Sequence, residues 1–299
     1  MSEHVSASPT PQRDRPGSAS KRGQHTSRRQ IMTTRTLRLA SSPYSPGTRH
    51  PLHAHNELQI SLVLRGHVHE RVGNRVEDAG ALSVVVKDPG VMHADDFGSC
   101  GAVTARLSVD GSAFADLVEH PTRAVEWRWL HDGFAAKPFL RLVHRGLNGE
   151  NGFSPDDDDI LDLVAVISAR RCAGTSTEPP AWLRDVVARI TEAWQPRLTV
   201  RDVAAWAGVH PVYLARCLRR WFGVSGGELL RRARLQRAAR AIADAAGTVS
   251  TVAHDTGFTD ESHLWREFSR TTGVTPAQFR RVGRAFEQRG FANTSLSSR

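Results

Sequence analysis

The amino-acid sequence predicts an α+β protein, in which an N-terminal antiparallel β-barrel is joined by a helical segment to an all-α domain of two helix-turn-helix units. Between residues 37 and 112, short stretches of alternating apolar and polar residues end at Gly or Pro, as in a small antiparallel barrel. Between residues 181 and 285, apolar residues recur at helical spacing. In that region one layout occurs twice: a short helix, a glycine turn and a longer arginine-bearing helix.

The first 112 residues divide into a polar leader and the predicted barrel. Residues 1–36 are rich in Ser, Pro and Arg and lack periodicity, which predicts a disordered basic leader. Met32 is therefore a second candidate for the first residue of the protein. Residues 37–112 form the predicted barrel. Its clearest strands are 58–64, 67–72, 81–86 and 103–109.

Residues 113–180 are predicted to be a helical segment, suited to dimerisation or to packing on the barrel. Its clearest helix has Pro155 and then acidic residues at 156–159, an apolar run at 160–167 and Arg170-Arg171 at its end, an order that suits the helix dipole. The Gly-, Thr- and Pro-containing stretch 173–180 is the predicted linker.

The region 181–285 is predicted to be helical throughout, and residues 286–299 are predicted to be a flexible tail. The predicted helices are 182–194, 200–207, 211–222, 226–243, 250–256, 261–271 and 276–283.

Both helix-turn-helix units contain the capping and turn residues that their geometry needs. In the first unit, Thr199 can cap the first helix, and Gly208 can adopt the positive φ of the turn. His210-Pro211 resembles a cap followed by the proline favoured at the first helical position. The corresponding residues of the second unit are Ser250, Gly257 and Asp260. One such unit could belong to a helical bundle with solvated arginines, but two matched copies indicate DNA binding.

The charge is distributed unevenly along this chain, whose formal net charge is +9. Residues 1–36, 37–180 and 181–299 carry 7, 14 and 19 basic residues against 2, 19 and 10 acidic ones, which gives net charges of +5, −5 and +9. A basic region attracts polyanions, of which nucleic acid is the usual one. The sequence has no apolar run of the ~20 residues that a membrane helix needs. Its three scattered cysteines argue against a disulfide or zinc framework and favour the cytoplasm.

Several motifs in the region 182–281 are specific. They are Val203-Ala204, Gly208-Val209, Leu214 and Arg216; Arg234–Ala238; Val252-Ala253, Gly257-Phe258, Ser262-His263-Leu264, Arg266 and Phe268; and Gly273–Pro276 with Phe279-Arg280. Over its whole length this region resembles the DNA-binding domain of AraC/XylS-type transcription regulators. The resemblance implies that the exposed face of the second helix of each unit contacts DNA. The positions implied are Val212, Ala215 and Arg216 in the first unit and Glu261, Ser262, Trp265 and Arg266 in the second. The further candidates for DNA contact lie off the predicted buried faces of the same helices and are Arg219, Arg220, His263 and Arg270.

The two implied reading faces differ in polarity. The first has Arg216 beside apolar Val212 and Ala215, which could contact thymine methyl groups or could mean that this unit reads few bases. The second is richer in polar side chains, among them Ser262 and Arg266. We therefore expect the two halves of a DNA site to be read with different stringency.

The predicted barrel contains a histidine cluster. His53 and His55 lie two residues apart, so both rings should point to one face of a strand, and His93 could reach them from a neighbouring strand. This pattern is similar to the cupin barrel, which often precedes this DNA-binding domain as an effector sensor. Metal-binding cupins have a glutamate where this chain has Gln59, and Glu57 could substitute for it. The expected effector or metal pocket is His53, His55, Glu57, Gln59 and His93.

Three interpretations of the cluster stay open. The residues could line a pocket for an organic effector, which we favour. His53, His55 and His93 could instead bind a divalent transition metal such as Zn, Fe, Mn or Ni, or they could be residual barrel residues with ordinary hydrogen bonds. His50, His67 and His69 are assigned to the surface.

These features predict a cytoplasmic, sequence-specific transcription regulator, activator or repressor, that senses a small molecule and is not an enzyme. The expected partners are double-stranded promoter DNA, a small-molecule effector, RNA polymerase in the case of activation, and a second copy of the chain if it dimerises. The alternative is a metal-dependent cupin enzyme fused to a DNA-binding domain. The attached DNA-binding domain argues for sensing.

Overall fold

Two antiparallel sheets form the N-terminal part of the protein. The structure, a computed structural model, describes residues 29–33, 37–110, 127–131, 133, 135–149, 158–169, 179–192 and 195–291. The larger sheet has the order β1 (Arg29–Thr33), β2 (Leu37–Tyr44), β9 (Ala102–Val109), β4 (Leu58–Gly66), β7 (Val84–Lys87) and β10 (Trp127–Leu130). The smaller sheet has the order β3 (Arg49–His53), β8 (His93–Asp96), β5 (Val68–Val72) and β6 (Arg75–Ala79). The α+β class with antiparallel N-terminal sheets is therefore confirmed.

The larger sheet has one apolar and one polar face, because side chains alternate along each strand. On β4, Ile60 and Leu62 belong to the main hydrophobic core, whereas Gln59 lies on the opposite face. Gln59 pairs in register with Lys87 of β7, and Lys87 Nζ donates to Glu70 Oε1 of the smaller sheet at 2.6 Å. The two sheets therefore pack face to face, and polar side chains lie between them.

Helices form the rest of the described chain. They are α1 (Ala136–Leu147), α2 (Asp158–Ala169), α3 (Ala181–Glu192), α4 (Val200–Trp206), α5 (Pro211–Phe222), α6 (Gly226–Ala243), α7 (Val249–Asp255), α8 (Glu261–Thr272) and α9 (Pro276–Phe291). The bounds of α3 to α8 lie within two residues of those predicted. Among the described residues, no helix is long and apolar enough to cross a membrane.

Three predicted bounds are wrong. β1 lies inside the predicted leader, because it is held by backbone pairing with β2, which alternation does not reveal. β10 is a strand inside the predicted helical segment, paired with β7 at the sheet edge. α9 continues to Phe291, into the predicted tail. Of the predicted segments, residues 1–28, most of the linker (173–178) and the end of the tail (292–299) lie outside the described residues.

One hydrophobic core joins the larger sheet to the second helix-turn-helix unit. The apolar sides of β2, β4, β7 and β9 pack with α1, α2 and α6 to α9 in this core. Ser41 Oγ of β2 donates to the carbonyl of Phe286 in α9 at 2.8 Å. Arg65 of β4 donates to Asp244, which follows α6, and to Glu287 of α9, each at 2.6 Å. We call this contact, carried by Ser41, Arg65, Asp244, Phe286 and Glu287, the junction.

The first helix-turn-helix unit has a core of its own. Leu183 of α3, Val203 of α4 and Leu214 and Leu218 of α5 are buried together with Leu230, in the first turns of α6. The long helix α6 therefore enters both cores, since its later residues Leu235 and Ile242 belong to the main core. The two units are alike in layout but differ in what they pack against.

Candidate functional site

The first unit has the geometry that its sequence predicts. Thr199 caps α4 through a reciprocal capping box with Asp202, in which the Thr199 N–H donates to Asp202 Oδ2 at 2.9 Å. Gly208 occupies the turn with φ +63°. His210 caps α5, with its Nδ1 accepting from the Val212 N–H at 3.3 Å, and Pro211 is the first helical residue. These caps fix the direction in which α5 leaves the turn.

The exposed face of α5 contains most of the residues predicted for the first unit. Val212, Arg216, Arg219 and Arg220 are exposed, and Ala215 is half-buried. Tyr213, which is not among the residues predicted to contact DNA, is 52% exposed on the same turn as Val212. An exposed tyrosine beside an exposed valine gives this face an apolar patch, and the helical position of Tyr213, next to Val212, was the signal that could have found it.

The second unit repeats the layout with one corrected cap. Thr248, not Ser250, caps α7, because the helix begins at Val249 and the Thr251 N–H donates to Thr248 Oγ1 at 3.1 Å. Gly257 occupies the turn with φ +81°. Asp260 caps α8 as predicted, with Oδ1 accepting from the His263 N–H at 2.7 Å.

Arg216 and Arg266 occupy the same position in the two units, the sixth residue of α5 and of α8. Both side chains are exposed. Among the described residues neither forms an ion pair or a hydrogen bond. An arginine with open donors on the outer face of a second helix is suited to bidentate contact with a guanine edge in the major groove.

Other residues predicted for the second unit differ in their surroundings. Glu261, Ser262 and Trp265 are exposed. His263 is half-buried, and its ring packs edge-on against Phe258 with centroids 5.4 Å apart. Its assignment to DNA stays a prediction.

Arg270 is held inside the protein's own ion-pair network. It donates to Glu267 at 2.9 Å, and Glu267 also accepts from Arg231 of α6 at 3.1 Å. The hydrogen bond from Arg270 holds the pKa of the Glu267 carboxyl below its usual value. Arg231 and Arg232 both bind Glu228 as well. Arg231 ties α6 to α8 through Glu267, so this network contributes to the shape of the second unit.

Substitution of the two turn glycines should lower the free energy of unfolding by different amounts. A Cβ on Gly208 would meet no atom within 4 Å, whereas a Cβ on Gly257 would lie 2.2 Å from the Pro196 carbonyl oxygen. We expect Gly208→Ala to lower the free energy of unfolding by about 1–2 kcal/mol through its positive φ alone, and Gly257→Ala to lower it by roughly 3 kcal/mol or more. Urea unfolding followed by circular dichroism measures both values. Equal losses in the two variants would contradict the close approach of Pro196 to the second turn.

The three predicted histidines do come together, at the edge of the smaller sheet where β3 pairs with β8. The ring centroids of His53 lie 4.9 Å from those of His55 and 4.3 Å from those of His93, and the His55 and His93 centroids are 5.2 Å apart. One nitrogen of each ring lies within 4.8 Å of the others. The cluster forms because β3 pairs with β8 and places His53 opposite His93.

Backbone carbonyls orient two of these rings. His53 Nδ1 lies 2.8 Å from the Pro51 carbonyl oxygen, and His93 Nδ1 lies 2.9 Å from that of Val91. With a proton on each Nδ1, each Nε2 carries a lone pair. His93 Nε2 is buried and has no hydrogen-bond partner among the described residues.

Burial makes two of the histidines neutral at physiological pH. It lowers the pKa of His55 to about 3, and the charges of Arg106 and Lys87 add to the effect. Burial, with the charge of Lys87, lowers the pKa of His93 to about 4. Neutral imidazoles can accept a hydrogen bond or ligate a metal.

Glu57 does not substitute for a cupin glutamate in this structure. It forms an ion pair with Arg38 of β2 and belongs to none of the described groups that could hold a metal ion. Gln59 is buried on the inner face of β4, and its Oε1 has no hydrogen-bond partner. The assignment of His50 to the surface is wrong, since it is half-buried with Nδ1 3.6 Å from Asp95 Oδ2.

A buried polar network between the sheets was not predicted from the sequence. Glu70 accepts from Lys87 and also from the indole nitrogens of Trp127 and Trp129, at 2.5 and 2.7 Å. Such residues follow no motif, because an isolated polar residue on an alternating strand looks solvent-facing in the sequence.

The C-terminal region matches a known domain family. Residues 203–282 match the family described as helix-turn-helix domain. An HTH-type transcriptional regulator of Bacillus subtilis strain 168, YisR, is 22% identical over 152 residues. That match covers 50% of this chain and 52% of the relative, so the chain spans about half the length of the curated relative it matches.

Three solved structures are also similar to this chain, each with a low TM-score. ToxT from Vibrio cholerae O395 is 12% identical and covers 83% of this chain and 98% of its own, with a TM-score of 0.35. The DNA-binding domain of AdpA, in complex with a target DNA, is 28% identical over 38% of this chain and 100% of its own, with a TM-score of 0.34. The C-terminal domain of AraT from Geobacillus stearothermophilus is 27% identical over 35% and 88%, with a TM-score of 0.33. From the family match and the two helix-turn-helix units, the C-terminal region of this chain belongs to the AraC-type helix-turn-helix DNA-binding domains.

Proposed function

We propose that the protein is a sequence-specific transcription regulator whose two-sheet unit senses a small molecule. The observation that carries the DNA-binding part is the pair Arg216 and Arg266, exposed at the same helix position in two capped helix-turn-helix units. The test is a footprinting series at fixed salt, in which Arg266→Ala should lose preference at one base pair. Equal protection of all sequences by the unmodified protein would contradict the function.

The fold supports a direct route from the sensor to the DNA-binding domain. Neighbouring residues of one strand face opposite ways, so on β4 Gln59 and Ser61 face the smaller sheet while Ile60 and Leu62 enter the core shared with the second unit. A ligand that binds between the sheets and shifts β4 therefore changes the packing of α6 and α9 on the other face of the larger sheet. Close-packed interfaces transmit small shifts because they lack room to absorb them.

A metal-sensing or metal-dependent form of the site is the second candidate. The orientation of His53 and His93 by backbone carbonyls, with Nε2 left to bind, is the arrangement usual for metal-ligating histidines. His53, His55 and His93 would hold the ion, and three nitrogen ligands with open positions suit Zn or another divalent transition metal. Such an ion would act as a Lewis acid and would offer its open positions to an effector or substrate.

Metal content separates the two candidates. If the site is an organic pocket, we expect the full-length protein to contain well under one transition metal per chain, and chelation to leave DNA binding unchanged. One equivalent of metal, lost in His53→Ala and kept in His69→Ala, would establish the metal candidate instead. His69 is a matched control because it is an exposed histidine on the same sheet.

A further inference from the structure

A buried guanidinium lies between the two sheets without an anionic partner. Arg106 of β9 is 8% exposed. Its Nη2 donates to the Tyr44 hydroxyl at 2.8 Å, while Nε and Nη1 are buried and have no hydrogen-bond partner. Within the described residues, no carboxylate forms an ion pair with it. Arginine stays protonated in proteins, and a buried charge without a partner is costly, so this position favours a bound anion.

The residues around Arg106 add unused polar atoms. In the strand register, Arg106 lies opposite Ser61 of β4 and Ala40 of β2. Gln59 and Ser42 are the next residues on the same faces of those strands. Ser42 Oγ, Gln59 Oε1 and Ser61 Oγ are all buried and have no hydrogen-bond partner in the described structure. Buried polar atoms normally have a hydrogen-bond partner, so four such side chains close together indicate a binding site for a polar ligand.

The other charged groups described in this interior have contacts of their own. Glu70 forms an ion pair with Lys87 and accepts from two tryptophans, and Asp95 Oδ2 lies 3.6 Å from His50 Nδ1. Among the described residues neither carboxylate forms an ion pair with Arg106, whose Nε and Nη1 stay open to an anion. One guanidinium balances a monoanion, whereas a phosphate group with a charge near −2 would need a second cation.

The surroundings of Arg106 also include an apolar wall. Tyr44, whose hydroxyl binds the guanidinium, stacks on Phe97 with ring centroids 3.6 Å apart. Val63, Val68 and Ala102 complete this buried cluster. An anion held on Arg106 would thus have both hydrogen-bonding and apolar neighbours.

We propose that the effector is a small organic carboxylate that binds between the sheets, with its carboxylate on Arg106 and accepting hydrogen bonds from the hydroxyls of Ser42 and Ser61. This proposal rests on the proposed sensing function and specifies its ligand class. A carboxylate accepts from the open N–H groups of Arg106 and from the serine hydroxyls, which satisfies the unpaired donors together.

Ligand-dependent thermal unfolding of the full-length protein tests the proposal. The probes are sodium acetate and sodium phenylacetate, compared with acetamide and phenylacetamide at the same ionic strength and pH. We expect at least one carboxylate to raise the unfolding temperature and its amide to leave it unchanged. In Arg106→Met, the affinity for that carboxylate should fall by about tenfold to a hundredfold, because a charged hydrogen-bond partner is lost. Arg71→Met removes an exposed arginine of β5 and should bind as the unmodified protein does.

Two further variants keep the test valid if Arg106→Met folds poorly. Arg106→Lys retains the charge, and Ser61→Ala removes only one hydroxyl; we expect each to weaken carboxylate binding severalfold at unchanged secondary structure. The proposal is overturned if the amides stabilise as well as the acids, if Arg106→Lys and Ser61→Ala bind normally, or if neither carboxylate stabilises the protein.

DNA binding by the same preparations separates this proposal from the function on which it rests. Loss of carboxylate binding with sequence-specific DNA binding intact overturns the ligand class alone. A protein that binds all DNA sequences equally overturns the proposed regulator, whatever its response to acetate.

Discussion

Arg266→Ala is expected to weaken binding to the preferred DNA site by about 1–3 kcal/mol, or roughly 5- to 150-fold, and to relax the preference at one base pair. Arg266 is exposed on α8, and the described structure gives it no partner that it must leave in order to bind DNA. The loss should therefore be nearly the whole bidentate contact. Quantitative footprinting on a set of single-base variants of the site, at one salt concentration, measures both the affinity and the preference.

The control for this prediction removes the same charge elsewhere. Arg71→Ala deletes an exposed arginine on β5 of the smaller sheet and should change neither affinity nor preference. A loss that is even across all sequences would mean that Arg266 contacts a phosphate, because backbone contacts set affinity without reading bases. Full retention of specificity in Arg266→Ala would contradict its assignment.

The equivalent variant of the first unit makes the asymmetry measurable. Arg216 stands at the same helix position as Arg266, but its neighbours are Val212 and Ala215 where the second unit has Ser262 and Trp265. Arg216→Ala should also cost about 1–3 kcal/mol. Base substitutions elsewhere in its half-site should matter less, because apolar side chains discriminate mainly through thymine methyl groups.

Local signals explain why the helical half was predictable. A cap such as Thr199 with Asp202, or Asp260 at the start of α8, acts over three residues, so the sequence alone contains the information. The error at Ser250 has the same origin. Thr248 and Ser250 are both good caps, and the hydrogen bond to Thr251 decides between them.

The junction was not predictable, because it depends on residues that are far apart in the chain. Arg65 and Asp244 are 179 residues apart and Ser41 and Phe286 are 245 apart. Alternation shows that β4 has an apolar face, but it does not show which helices cover that face. The two units have similar sequence layouts, but their cores are separate because the second unit packs against the sheet at the junction.

The histidine cluster was predicted in part, for a physical reason. Alternation places residues on a common face only while the chain stays in a strand. β3 ends at His53 and β4 begins at Leu58, so the expected alignment of Glu57 with the histidines does not hold. Arg106 and Glu70 were not predicted as site residues. Polar residues on an alternating strand are usually interpreted as exposed to solvent, but the polar face of these strands points inward.

Phe286→Ala is expected to lower the free energy of unfolding by about 3–5 kcal/mol, because it empties a fully buried site in the core of the junction. The loss should spread to both partners, since the Phe286 side chain lies in the core that α9 shares with β2 and β9. Urea unfolding gives the magnitude, and hydrogen exchange resolved by peptide shows where protection is lost. We expect faster exchange in β2 and β9 as well as in α9.

Leu218→Ala is the control that shows whether the effect of Phe286→Ala comes from a core shared by the sheet and the second unit or from a general loss of stability. Leu218 is equally buried, but it lies in the core of the first unit, so its removal should speed exchange in α4 and α5 and leave the sheet protected. Phe286→Ala with an unaffected sheet would show that the second unit and the sensor fold independently. If instead both respond together, then the sheet that holds Arg106 on one face and α9 on the other is a single cooperative unit. In that case, a ligand between the sheets stabilises the second helix-turn-helix unit by mass action, without needing any contact with it.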